Sequence, residues 1–182
     1  MWLTTLPGLL FSTIAVLGAL RLDELGAGAA AIAAAFLVAA AFEAVAAPLI
    51  GRLSDRRGRL VPSALGVAGG GLVMLAFPWP EEALVLGLLI VLAGPLVGVL
   101  YTPAMAMLSD GADAAGVAQG FAFALVNLAW ATGQTAGAAG SARLADAVGD
   151  DVPYFVLAGI CALTLVGLLR RIRADRRAYI DS

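Results

Sequence analysis

The sequence predicts an all-α membrane protein of six spanning helices, and three observations predict it. Mean hydropathy is +0.96 over 182 residues, with 62% of residues hydrophobic and 13% charged, a balance outside the range of soluble globular domains. The apolar residues fall into six runs of roughly 18 to 27 residues, the length that crosses a hydrocarbon core of about 30 Å. The runs lack the alternating pattern of a membrane barrel. A segment in lipid must satisfy its own backbone N–H and C=O groups, so each run is read as a helix.

The first run, 2–20, has no basic stretch before it and no convincing small-residue cleavage site, which makes it a retained span and not a signal peptide. "RLDELG" then separates it from the second run, 27–50. The third, 60–77, follows "GRLSDRRGR" at residues 51–59, and the fourth, 83–106, follows "PWPEE". "MLSDGADAA" leads to the fifth run at 114–140, and "SARLADAVGDD" to the sixth at 153–169. Residues 170–182 form a basic tail on a single six-helix domain spanning 1–182.

Charge is segregated although the formal net charge is only −2. All basic residues are arginine. Six spans place the 51–59 loop, the 107–113 loop and the tail on one side. That side holds Arg52, Arg56, Arg57, Arg59, Arg170, Arg171, Arg173, Arg176 and Arg177, and the other holds Arg21 and Arg143. Arginine in short loops is retained in the cytoplasm, so both termini are expected there, with the chain in the cell membrane.

An internal repeat is also visible. "RLSDRRG" from Arg52 and "RLADAVG" from Arg143 share R-L-x-D-x-x-G and lie 91 residues apart, half the chain length. Each follows the second helix of a three-helix group, so the two triplets have opposite orientations in the membrane. Inverted triplets are a construction principle of secondary transporters.

Gly51, Leu53, Asp55, Arg56, Gly58 and Arg59 match G-x-L-x-D-R-x-G-R, the cytoplasmic signature after the second helix of a half in the major facilitator superfamily (MFS). The whole chain resembles one six-helix half of such a transporter. Gly51 and Gly58 lack Cβ atoms and permit a tight turn and close approach of the second and third helices. Ser54 and Asp55 are placed to cap the third helix, and Arg56 and Arg59 to pair with carboxylates or lie at headgroups. The resemblance implies that this loop latches a cytoplasmic gate, its aspartate meeting the start of a helix in the opposite half. The fourth span has no arginine, and 101–140 looks like the fourth and fifth helices of a C-terminal half. The chain is therefore expected to correspond to helices seven to twelve of a twelve-helix carrier, with Met1 marking a truncated gene or an independent half.

Polar groups inside spans need a reason, because each costs a few kcal/mol on insertion scales. Glu43 reads either as a proton-coupling or gate residue, or as a structural carboxylate bonded to a neighbouring helix or to the motif arginines. Gln119, Phe123, Asn127, Trp130 and Gln134 recur at helical spacing on one face; of these, Asn127, Trp130 and Gln134 are candidate cavity-lining residues. Gly94, Pro95, Gly98 and Pro103 weaken the fourth helix beside Tyr101 and Thr102, two further cavity candidates, although a kink fitted to neighbouring helices explains them equally well. The resemblance implies that the first and fourth helices face a central cavity and the third and sixth face lipid.

The resemblance implies transport of a small solute by alternating access, as an MFS secondary carrier or part of one, either coupled to protons in drug or metabolite efflux or driven by the solute gradient. The alternative is a truncated, inactive carrier or a membrane interaction subunit. An enzyme is not expected, since no histidine exists for a Ser–His pair and no G-x-G-D motif is present. No phosphate-binding loop is present either. The lone Cys161 offers no thiol pair, so no metal or other cofactor is expected. The expected partners are the lipid bilayer, a small-molecule solute that is lipophilic or weakly polar, and a second copy or a complementary six-helix half, with no nucleic acid.

Overall fold

The computed structural model describes residues 1–180, apart from the side chains of Arg57, Asp175, Arg176, Ala178, Tyr179 and Ile180. Within it six helices follow in order: α1 (Trp2–Glu24), α2 (Ala29–Arg57), α3 (Leu60–Ala76), α4 (Ala83–Ala114), α5 (Gln119–Val148) and α6 (Val152–Ile180). No strand occurs among the described residues. Four helices are long and apolar enough to cross a membrane on their own: α1, α2, α4 and α6. The 18-residue spanning stretches within them have mean hydropathies of 1.8, 2.1, 2.7 and 2.3. The apolar α3 has only 17 residues. In α5, Asn127, Thr132, Gln134, Thr135 and several glycines dilute the hydrophobicity, so its place in the bilayer depends on its neighbours.

The helices run past the apolar stretches and leave short connections. Residues 51–57, expected in a loop, form the last two turns of α2, and residues 107–113 likewise continue α4. Gly58 stops α2 at φ +79° and ψ 162°, a backbone region closed to residues with a Cβ. α6 continues through the basic tail to Ile180, while Asp181, Ser182 and the Arg57 and Arg176 side chains lie outside the described residues.

The packing order is that of an inverted repeat. α1 packs chiefly on α5, α2 on α4, and α3 on α6. Exchanging the first triplet for the second turns the α1–α5 pair into the α2–α4 pair and returns the α3–α6 pair to itself. The contact points agree at the level of residues. At Gly8 of α1 a Cβ would stand 2.7 Å from the Trp130 carbonyl oxygen and 3.2 Å from the Gln134 nitrogen. At Gly94 of α4 it would stand 2.6 Å from the Ala39 carbonyl oxygen, and at Gly98, 2.9 Å from the Glu43 Cγ. A displacement of 91 residues carries Ala39 to Trp130, Glu43 to Gln134, and Gly98 to Pro7, the neighbour of Gly8. Small residues on α1 and α4 thus let α5 and α2 approach to backbone contact, the packing that drives helix association in lipid.

The core runs along α1, α3 and α4, where Leu6, Leu10, Met74, Leu86, Ile90 and Leu100 are essentially inaccessible. Exposure is uneven in an informative way. In the spanning stretch of α1, 56% of residues are buried, against 6% in α2. Of the helices expected to face a central cavity, α1 is therefore mostly covered within the chain, whereas α2 and α5 are largely uncovered and α4 is exposed along Leu84, Val85, Leu88 and Leu92. On α5 the uncovered face mixes small and polar residues, among them Ala124, Asn127, Ala131, Thr135 and Ala139, with the exposed apolar side chains of Phe121, Phe123 and Leu128. On α3 and on α6 up to Leu169 it is apolar, through Leu65, Leu72, Phe155, Leu163 and Val166, as contact with lipid requires.

Candidate functional site

The motif forms a three-helix junction at one end of the bundle. α2 ends there, α3 begins there, and the end of α4 lies alongside. Arg59, at the start of α3, donates from its Nη1 to Asp55 Oδ1 at 2.7 Å and to Ser54 Oγ at 3.4 Å. Its Nε donates to Asp110 Oδ2 on α4 at 3.3 Å. One guanidinium thus spans the two helix ends that carry the same Leu-Ser-Asp triplet, 53–55 and 108–110. Its fork of fixed donors suits this bridging role better than a single ammonium. Ser63 donates to the Arg59 carbonyl oxygen at 2.8 Å and fixes the first turn of α3.

The capping role expected of Ser54 and Asp55 is not what the structure displays. No side chain caps α3. Ser54 is buried within α2, and Asp55 is engaged by Arg59 while its side chain stays 67% exposed. Leu53 and Arg56 lie on the exposed side of α2. Gly51 sits in the middle of the helix, and a Cβ there would meet nothing within 4 Å. Gly58 has the turn role expected of it; for Gly51, close approach within this chain supplies no reason.

The intramembrane candidates separate into two groups. Glu43 is half-buried on α2 with its carboxyl against Gly98 of α4, and makes no hydrogen bond or ion pair among the described residues. One turn further along α4, Tyr101 packs edge to face with Trp130, ring centroids 5.0 Å apart, and Trp130 lies 6.1 Å from Phe11 of α1. This aromatic row joins α4, α5 and α1. Phe11 was missed by the sequence reading, although its place on the first helix could have suggested it.

The five-residue stripe of α5 does not act as one unit. Gln119 belongs to the motif end: it accepts from Ser109 Oγ at 3.0 Å and donates to the Ser109 carbonyl and to Asp113 Oδ1. It ties the end of α4 to the start of α5. Asn127 lies on the uncovered face, and Gln134 is partly buried where α5 crosses Gly8. Thr102 is partly buried beside Tyr101. Neither Asn127, Gln134 nor Thr102 uses its side chain in a hydrogen bond among the described residues.

No group of three His, Cys, Asp or Glu side chains able to hold a metal occurs among the described residues. A family model described as Major Facilitator Superfamily matches residues 1–180. No curated protein matches the chain.

Proposed function

The chain belongs to the major facilitator superfamily, a family of membrane transport carriers, and we propose that it forms one half of a secondary carrier that moves a small solute by alternating access. The observation that carries this reading is the uncovered face of α2 and α5. On α5 it carries the amide of Asn127, which lipid would reject and a second six-helix unit would accept, while on α2 it adds an apolar surface of Leu37, Phe42, Val45 and Leu49. A homodimer or a separately encoded half would complete the cavity, with a two-fold axis along the membrane normal. The solute is lipophilic or weakly polar, because the aromatic row of Phe11, Tyr101 and Trp130 is accompanied by no intramembrane arginine.

The motif end faces the cytoplasm in this reading, supported by nine arginines against two. There Asp55 latches the gate against a helix of the other half, with Arg59 holding it in place, and the vacant space beside Gly51 supports close approach by that half. Glu43 is the coupling residue, since a carboxyl without a fixed partner can load and release a proton as the cavity opens. Tyr101, Thr102, Asn127, Trp130 and Gln134 line the solute path. The absence of arginine from α4 supports assignment to a C-terminal half. The test is uptake of a lipophilic fluorescent dye into energised inverted vesicles holding the chain, where cellular efflux runs inward, with and without a proton ionophore. Ionophore-sensitive dye movement is expected, and dye movement no faster than in empty vesicles refutes it. The second reading, a carrier half or interaction subunit without transport of its own, rests on the same uncovered face, and a silent chain bound to another membrane protein would favour it.

A further inference from the structure

At the end of the bundle opposite Arg59, a cavity of about 350 Å³ opens between α1, α3 and α6. Arg21, Glu24, Phe77, Asp150, Asp151 and Tyr154 line it. Arg21 is occupied by Glu24 at 3.1 Å. Asp150 and Asp151 have no such compensation: among the described residues neither pairs with an arginine or accepts a hydrogen bond from a side chain. They stand just ahead of α6, where capping would be the ordinary role of an aspartate, yet no capping bond is made among the described residues.

Tyr154 supplies an independent observation. It is only 5% exposed, its ring is stacked on Phe77 at 5.3 Å, and its hydroxyl has no hydrogen-bond partner among the described residues. That hydroxyl is not sealed off, because Thr13 Oγ1 is the only sealed, unpartnered side-chain oxygen among the described residues. Tyr154 is thus nearly buried yet keeps its hydroxyl reachable from the cavity it lines, free to accept a hydrogen bond from what enters there.

We propose that this cavity binds an ammonium group, held by the Asp150 and Asp151 carboxylates and the Tyr154 hydroxyl against the Phe77 ring. Two uncompensated negative charges select a cation. An aromatic wall and a phenolic acceptor suit an N–H donor that also seeks a ring face. A divalent metal is disfavoured, since no three acidic ligands converge among the described residues. The cavity lies beside α3 and α6, the helices with apolar outer faces, so the ammonium can come from an aminophospholipid headgroup or from a free amine in the aqueous phase. The site does not depend on the chain being an active carrier.

Two measurements on the full chain test it. In nanodiscs of phosphatidylglycerol doped with phosphatidylethanolamine, native mass spectrometry records the lipid retained. In nanodiscs of phosphatidylglycerol alone, ethanolamine is titrated by calorimetry. The expected result, in at least one arm, is binding weakened about tenfold or more by the double substitution D150N/D151N, the scale set by lost bonds to charged groups. Tyr154→Phe, which keeps the stack on Phe77, weakens it by a smaller factor and provides the comparison should the double variant fail to fold. Asp146→Asn, an exposed carboxylate outside the cavity, leaves binding unchanged. Retained phosphatidylethanolamine without ethanolamine heat assigns the lipid, and ethanolamine heat assigns the free amine. Indifference of both arms to D150N/D151N and to Tyr154→Phe overturns the site, as does an equal loss with Asp146→Asn.

Discussion

Replacing Gly94 and Gly51 by alanine, one at a time, should move stability in opposite directions although both glycines lie inside helices. At Gly94 the new methyl would stand 2.6 Å from the Ala39 carbonyl oxygen, 3.0 Å from its carbon and 3.1 Å from Ala39 Cβ. These belong to the backbone and Cβ of α2, so no side chain can swing aside and the α2–α4 crossing must open. Overpacking of this kind costs about 1–3 kcal/mol, offset by the roughly 0.5–1 kcal/mol that alanine gains over glycine in a helix. A net loss of about 1–2 kcal/mol remains for Gly94→Ala, or roughly 2–8 °C in Tm for a chain of this length. At Gly51 nothing lies within 4 Å of the added Cβ, so only the helix gain applies and Tm should hold or rise by a few degrees. The fluorescence of Trp2, Trp79 and Trp130 during thermal unfolding in detergent reads both. A Gly51→Ala variant of the isolated chain destabilised as much as Gly94→Ala would refute the reasoning, because it would require a neighbour within this chain that the structure does not contain.

Gly58→Ala, forced to φ +79°, should lose about 1–3 kcal/mol on the same thermal assay; an unchanged Tm would mean that the α2–α3 turn is not held in this conformation. Arg59→Ala breaks ion pairs whose carboxylates are mostly exposed, so Tm should fall by no more than about 4 °C while dye efflux drops sharply; efflux at the original rate would remove the motif from the gate. Glu43→Gln should abolish the dependence of efflux on the proton gradient with dye binding retained, and an unchanged rate and pH profile would sink the coupling role. Trp130→Leu should raise the dye Kd about threefold to tenfold through loss of its aromatic pairs with Tyr101 and Phe11, whereas an unchanged Kd would place the solute elsewhere.

Fold and family were legible because lipid imposes strong rules on sequence. Apolar runs of spanning length announced six helices, and R-L-x-D-x-x-G recurring after 91 residues announced the inverted triplets, which reappear as matched crossings at Gly8 and Gly98. Helix ends were less legible, since hydropathy records where lipid stops and not where hydrogen bonding stops. Polar residues such as Arg52 and Ser54 continue α2 until Gly58 breaks it, and the polar α5 is long without being apolar. The motif's internal wiring was missed: Arg59 joins Asp55 to Asp110, 51 positions away, and the repeated Leu-Ser-Asp triplet at 53–55 and 108–110 was the one signal that marked it. Gln119 was assigned to a helical stripe by spacing, although its partners Ser109 and Asp113 lie across the short α4–α5 connection. Coverage of the first helix was not legible, because burial depends on how the triplets interlock. Glycine-mediated crossings bury α1 against α5 and leave much of α2 outside.

The central claim is that a second six-helix unit covers α2 and α5. The most direct measurement places single cysteines at the exposed Ala41 of α2 and Ala131 of α5 in otherwise unaltered chain and labels them in native membranes with benzophenone-maleimide, whose photoreactive end inserts into C–H bonds of any neighbouring chain. Buried Cys161 provides the unreactive background. A covered face predicts an adduct of two six-helix chains, either two copies of this one or this one joined to a different half. Single chains alone from both variants, in membranes where an exposed control cysteine at Leu163 on the lipid-facing side of α6 is fully labelled, would contradict it.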